Sequence, residues 1–543
     1  MKKVFVAVLM FFVVVVLAGA SYAWQGRMEG MGNPQGLIGD ESDLLLHPAQ
    51  IVSGEGVRYY LDYKFTYTNL IHMDSKIDVG IPGVGTFPIL GGNLTSGHTN
   101  EHNSLIGASF PLAKGRMGVF FAYDRKDGDF DSDVSLLGYN FGVKSDADSR
   151  LDNFALRLIY GQPVKSANLG VELGVAYRDE EQKEWTRYSM PVSFDDMGVI
   201  GIRGVGTTLP YMVPYDSQYW EMSGKIGLNK KFNATDVDWT VYGAGILSAD
   251  SDNKYKIQGD ISEIDVDDEP GNIEEGYAVR NNMKGDVSGY RVGSDLWIRH
   301  HINDSLTLPF LVSIGYSKKH RDGNGPIYLY EVEDSVYDLF NPNVNLKYKD
   351  IAKTWDVKVG GGIEHARDGC GKIGAGLYYN YLQSRDRLDF LGEYVGDSRR
   401  FEGDFVDINL NKFPYHKEHR LVLKVAGEQV VCEDFIVRGG LDFFYGWIRS
   451  DDYGGSAVVN LDGYGFVGTG SATLPLKGHT CGFQGSLGAS KKFAGLTFEP
   501  FIKGGYQVFD TDGSTGFGPF SVGLDKKKAE WFTGAGLSVL FGK

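Results

Sequence analysis

Sixteen stretches of this chain alternate apolar with polar or small residues for eight to twelve positions, and after the first twenty-odd residues no continuous apolar helix appears. The last stretch shows the pattern. Trp531, Thr533, Ala535, Leu537, Val539 and Phe541 fall on one face, while Phe532, Gly534, Gly536, Ser538 and Leu540 fall on the other. A period of two is the signature of a strand with two different environments. Hydrocarbon offers the backbone no hydrogen-bond partners, so a sheet that crosses a bilayer must close on itself. The pattern therefore predicts an all-β fold, an antiparallel transmembrane β-barrel of about sixteen strands, with a range of fourteen to eighteen.

The chain of 543 residues opens with Met1-Lys2-Lys3, an apolar run from Val4 to Gly19 and the small-residue stretch Ser21-Tyr22-Ala23. This is the layout of a secretory signal peptide, 1–23, and the apolar run is shorter than the ~20 residues of a spanning helix. A segment follows over 24–56, and the barrel is predicted over 57–543. Seventy-four glycines, 13% aromatic residues and a mean hydropathy of only -0.22 suit a barrel, because alternation hides the membrane signal in the average.

Strands are predicted near Val57–Asn69, Ser104–Leu112, Arg116–Arg125, Asn153–Gln162, Leu169–Asp179, Tyr219–Lys230, Asp238–Leu247 and Ser288–His300. The second half gives Ser305–Ser317, Thr354–His365, Lys372–Gln383, His419–Glu428, Phe435–Ile448, Gly482–Lys491, Leu496–Val508 and Glu530–Phe541. Short links such as Ala113-Lys114-Gly115 alternate with connections of about twenty to forty residues. Outer-membrane barrels have short periplasmic turns and long extracellular loops, and an even strand number leaves both ends in the periplasm. The predicted location is the outer membrane of a Gram-negative bacterium.

Assigning the apolar set of each strand to lipid sends its alternate inward. The inward candidates are Arg58, Asp62, Lys64, Arg157, Glu172, Arg178, Glu221, Lys225, Arg291, Asp295 and Arg299, followed by Asp356, Lys358, Glu364, Lys372, Arg420, Lys424, Glu428, Arg438 and Asp442. Facing lipid at the midplane, an Arg or Lys would cost roughly 2 to 4 kcal/mol. Twelve are basic and eight acidic, although the formal net charge of the chain is -16. A hydrated lumen with that basic excess would pass small anionic solutes passively, since pore-lining charge sets selectivity. If instead the charges pair across strands or with an inserted segment, they hold a plug. Trp220, Trp239, Trp355, Trp447 and Trp531 near strand ends are read as interfacial belts.

The region from Asp250 to Val287 holds eleven Asp or Glu against four Lys or Arg, including Asp265-Val266-Asp267-Asp268-Glu269. It lacks the calcium-loop spacing and is read as a solvated, self-repelling loop, with a divalent-cation site as the sharper alternative. Cys370 and Cys432 would both sit in turns at one end of the barrel, where a disulfide is geometrically conceivable, with Cys481 nearer the other end. No GxSxG, HExxH, Walker or CxxC pattern occurs, so no enzyme, cofactor, metal centre or nucleic-acid partner is expected. The partners implied are outer-membrane lipid and lipopolysaccharide, a small solute, and in some arrangements further copies of the chain. A barrel sheath or surface-interaction component of a larger assembly is a further alternative.

Before the first strand lie Gly30-Met31-Gly32, the acidic pair Asp40-Glu41 and His47-Pro48-Ala49. This stretch resembles the N-terminal hatch of FadL-type outer-membrane transporters, in which a Gly-Met-Gly or Gly-Leu-Gly start leads to an acidic pair and then Asn-Pro-Ala. The resemblance covers about twenty-five residues and has His47 where Asn is usual. It implies passive uptake of hydrophobic compounds through a plugged barrel. Members of that family typically have fourteen strands and a greasy pocket, whereas this chain gives sixteen and a charged interior.

Overall fold

The computed structural model describes residues 28–29, 31, 37–38, 44–81, 85–136, 142–189, 211–212, 215–247, 254–263, 275–333, 336–367, 369–395, 406–412, 415–461, 466–493, 496–517 and 520–542. The stretch 1–23 read as a signal peptide, the acidic run Asp265–Glu269, and Gly30, Gly32, Asp40 and Glu41 lie outside the described residues.

After a 3-10 helix at Pro48–Ser53, every described element is a strand. The first are β1 (Arg58–Ile81), β2 (Gly85–Leu112), β3 (Gly115–Leu136), β4 (Gly142–Val164), β5 (Ala167–Ser189), β6 (Tyr211–Met212) and β7 (Tyr215–Phe232). Next come β8 (Thr235–Leu247), β9 (Lys254–Glu263), β10 (Glu275–Asn303), β11 (Leu306–Glu333), β12 (Val336–Arg367) and β13 (Gly371–Val395). The last are β14 (Val406–Lys412), β15 (Tyr415–Cys432), β16 (Phe435–Leu461), β17 (Phe466–Phe493), β18 (Leu496–Phe517) and β19 (Phe520–Gly542).

All neighbours pair antiparallel, and β1 pairs with β19 from Arg58↔Gly542 to Gly80↔Ser521, which closes the sheet. The nineteen segments occupy sixteen wall positions. Three positions hold an interrupted strand: β6 and β7 both pair with β5, β8 and β9 both lie between β7 and β10, and β14 and β15 both lie between β13 and β16. The sixteen predicted stretches each fall on a different wall position.

The connections predicted at twenty to forty residues are largely strand. Only 82–84 separate β1 from β2, and β12 runs for 32 residues. Since 9 to 11 residues cross the apolar layer, about two thirds of β12 stands outside it. Long strands on one side and tight turns on the other give the barrel a turn end, which also carries Arg58 and Gly542, and a far end.

The exterior is apolar where the alternation predicts it. Leu61, Tyr63, Trp220, Met222, Tyr290 and Val292 are exposed, while their alternates Tyr60, Asp62, Tyr219 and Trp297 are buried. Aromatic pairs such as Tyr67 with Trp531 and Tyr177 with Trp220 gather on the far-end side of this apolar zone. Trp239 instead lies four residues from the turn that opens β8 and donates to Ser294 Oγ at 2.9 Å. Among the described residues the cysteines are free thiols, and the register sets Val430 rather than Cys432 opposite Cys370, whose carbonyl accepts from Val430 N at 2.8 Å. His300 and His301 bond Thr235, Thr307 and Asp236 at the turn end.

Three two-residue turns begin with a non-glycine residue at positive φ: Ala113 at 54°, Lys165 at 53° and Asn233 at 50°. Two-residue hairpins favour such angles because their twist matches the strands. Asn tolerates them, whereas Ala and Lys pay for the close approach of Cβ to the carbonyl. Replacing both Ala113 and Lys165 by Gly should raise the unfolding free energy by about 1 to 2 kcal/mol in total after the entropy cost of glycine. The urea midpoint of micelle-refolded protein measures this.

Candidate functional site

The lumen is occupied. Met28, Met31, Leu37, Ile38, Leu44, Leu45, Ala49 and Ile51 of the N-terminal segment are all buried. Leu44, Leu45 and Ile51 join a cluster with Tyr60, Leu105, Phe120, Ile159 and Leu540 of the wall. Met28, Met31, Leu37 and Ile38 join another with Trp297, Leu311, Tyr378, Val422 and Ala426. Fully burying such side chains is worth roughly 1.5 to 3 kcal/mol each.

The wall makes room by omitting side chains. A Cβ on Gly170 would lie 2.2 Å from the backbone of Pro48 and Ala49, so β5 meets the 3-10 helix backbone to backbone. Five wall positions round, on β12, a Cβ on Gly362 would come within 2.8 Å of Leu37.

Polar contacts fix the register of this docking. Glu29 accepts from Lys64 of β1 and Lys503 of β18, both at 3.0 Å. Burial pushes the Glu29 carboxyl up, but the two ammonium groups outweigh it and hold the carboxyl below its ordinary range. His47, only 1% exposed, bonds Thr240 Oγ1 through Nδ1 at 2.8 Å and meets the Trp297 ring edge-on with centroids 4.4 Å apart. Burial, reinforced by the nearby Lys225 ammonium, lowers its pKa from 6.5 to about 3. Lys225 also donates to the carbonyl of Leu45.

The inward charges are consumed in pairs. Glu364 takes both Arg299 and Lys372, the latter at 3.7 Å. Arg438 joins Glu428 at 3.2 Å and Glu499 at 2.8 Å. Lys424 pairs with Asp442, Arg420 with Glu418, and Lys225 with Glu172 at 3.3 Å. Arg58 donates to the carbonyl of Glu55 at 3.1 Å, Asp62 is buried, and Lys358 lies 5.3 Å over the Tyr378 ring. Arg157, Arg178, Glu221, Arg291, Asp295 and Asp356, with Glu172 and Lys225, line one cavity of about 720 Å³ floored by Met28, Leu45 and Leu46. There Glu221 lies 3.6 Å from both Arg178 and Arg291, and Asp295 accepts from Ser313.

Glu29, Glu418, Glu499 and Trp297 were missing from the predicted interior. Alternation would have found three of them: with Ile502 outward, Glu499 shares the inward face of β18, Trp297 shares the parity of Asp295 and Arg299, and Glu418 that of Arg420 and Lys424. Of the N-terminal candidates, Met31, His47, Pro48 and Ala49 are buried. Among the described residues no group of three or more His, Cys, Asp or Glu is arranged to hold a metal.

Two outcomes test this docking. Gly170→Val should expel Pro48 and Ala49 from the wall while leaving the barrel heat-resistant on gels, exposing 44–53 to protease. Acid should loosen the segment too. The released form takes up a proton on His47 near pH 6.5 that the docked form refuses until about pH 3. Docking is therefore intact above 6.5 and weakens by about 1.4 kcal/mol per pH unit below it. Protease access measured from pH 7.5 to 5 should rise accordingly, and His47→Gln should flatten the profile.

The expected open passage for general diffusion, with a basic excess, is corrected by these observations. Carboxylates outside the predicted set offset the cations, and the segment takes the space a water-filled pore would need. No family model and no curated protein sequence matches the chain. Solved structures similar to it include a deletion mutant of the monoaromatic hydrocarbon channel TodX, at 12% identity over 96% of this chain and 99% of that one, TM-score 0.41. They also include the Pseudomonas putida toluene transporter TodX, at 10% over 97% and 99%, TM-score 0.37. A Pseudomonas aeruginosa FadL homologue matches at 10% over 97% and 100%, TM-score 0.38.

Proposed function

We propose that this chain is exported by its N-terminal signal and inserted in the outer membrane with its turn end in the periplasm, where it is a plugged uptake channel for small hydrophobic compounds. The observation that carries the reading is the N-terminal segment itself. It fills the lumen with apolar side chains and is fixed there by Glu29 and His47. A hydrated solute would have to shed water to pass Leu37, Leu45 and Ile51, while a hydrophobic one loses nothing there. Monoaromatic hydrocarbon and toluene are the cargo named for TodX; for this chain the reading rests on the lumen.

In a planar bilayer the full-length protein should be electrically silent, and removal of 24–56 should produce stable conductance steps. In a Gram-negative host the full-length protein should speed entry of a hydrophobic fluorescent probe several-fold and leave sugar entry unchanged. Faster sugar entry with unchanged probe entry would overturn the reading.

A further inference from the structure

On the far-end side of the lumenal cavity, one carboxylate ties two distant strands together. Glu180 of β5 lies 3.0 Å from Lys319 and 3.2 Å from Arg321, both of β11. It also accepts from the Tyr219 hydroxyl of β7 at 2.9 Å. Lys319 donates to that same hydroxyl at 3.1 Å, with its ammonium 4.7 Å over the Tyr219 ring. With β7, the β8 and β9 position and β10 between them, β5 and β11 are four wall positions apart, about 19 Å at one strand spacing each. Side chains that meet over such a span run through the lumen and form a clasp across part of its bore.

Parity sets all four residues on the inner face, because Arg178, Glu221 and Ser313 of the cavity lie an even number of residues from them on the same strands. Arg178 is only two residues, about 7 Å, nearer the turns than Glu180, so the clasp stands directly over the cavity. In register, Ser217 faces Glu180 and Val287 faces Arg321, and both are fully covered. The wall behind the clasp is where the ladder changes hands. β7 passes from β8 to β9 between Trp220 and Gln218, and β10 does so between Tyr290 and Gly285. Tyr219 and Val287 fall in those intervals, so among the described pairings no residue of β8 or β9 is set opposite them. An interrupted ladder opens locally at less cost than a continuous one.

The clasp also differs from the braces elsewhere in the wall. Arg438 and Glu499, each 3% exposed, are joined across two wall positions and sealed from water. The clasp charges keep 20 to 24% of their surface, so water reaches them and solvates them when they part. Lys319 and Arg321 stand two residues apart on one face, and the Glu180 carboxylate offsets their mutual repulsion. We propose that Glu180, Lys319, Arg321 and Tyr219 form a reversible gate that closes the cavity toward the far end and opens to admit cargo. The closure stands on this geometry; its part in uptake rests on the reading of the chain as a channel.

The test is the rate at which a charged maleimide labels Ser223→Cys, a cavity position, in micelle-held full-length protein whose three native cysteines are replaced by Ser. Glu180→Gln should raise that rate about fivefold or more, the scale expected on breaking two partly exposed ion pairs. Lys319→Met with Arg321→Met releases the clasp from the other strand and should do the same. That arm decides the matter if Glu180→Gln does not fold, which heat-modified gel migration shows. Raising salt from about 20 mM to about 1 M should speed labelling of the intact clasp and leave Glu180→Gln unchanged. Glu418→Gln, which breaks the ion pair with Arg420 on β15, outside the cavity lining, should label at the parent rate. Unchanged labelling in both clasp variants, or equal acceleration by Glu418→Gln, would overturn the gate and leave the clasp a brace. No cargo takes part in this readout, so failure of the gate and failure of the uptake reading are separable.

Discussion

A backbone immersed in hydrocarbon has to satisfy every N–H and C=O within itself, and in this chain that demand is met by the pairing of β1 with β19. All else is arranged around the closed sheet. Closure forces each strand to show one face to lipid and one to the lumen. The lumenal face must then accommodate charge, and a lumen of sixteen strands is wide enough to need filling. Here the filling is the chain's own N-terminal segment, whose described residues are held by apolar burial and by a few polar contacts.

The polar contacts fall into two groups. Charges such as Arg438, Glu428 and Glu499 satisfy one another within the wall and set no field in the passage. Those around the cavity, with Glu221 shared between Arg178 and Arg291, remain close to open space and give the lumen a polar chamber beside the apolar N-terminal segment. A compound entering from the far end would meet water first and hydrocarbon second.

Much of this was legible in the amino-acid order, and the limits have physical causes. Alternation placed sixteen strands because the period of two reports only which side of a sheet a residue occupies. It says nothing of partners. Arg299 and Glu364 lie on strands two wall positions apart, and Glu29 reaches Lys503 across 474 residues, so only the curvature of the closed barrel brings them together. Strand ends were also hidden, because beyond the membrane both faces meet water and the alternation fades while hydrogen bonding continues. The glycine patch at Gly170 carried no readable signal: seventy-four glycines are too many for one to announce a docking surface.

The clamp on Glu29 bears on the order of assembly. Lys64 belongs to the first strand and Lys503 to the penultimate one, with β19 between them. Until the C-terminal strand has arrived and locked onto the N-terminal one, the two ammonium groups belong to opposite edges of an open sheet. The binding place for Glu29 thus comes into being only with the final pairing. Full seating of the N-terminal segment therefore follows closure of the barrel, and a half-zipped intermediate lacks the place for it.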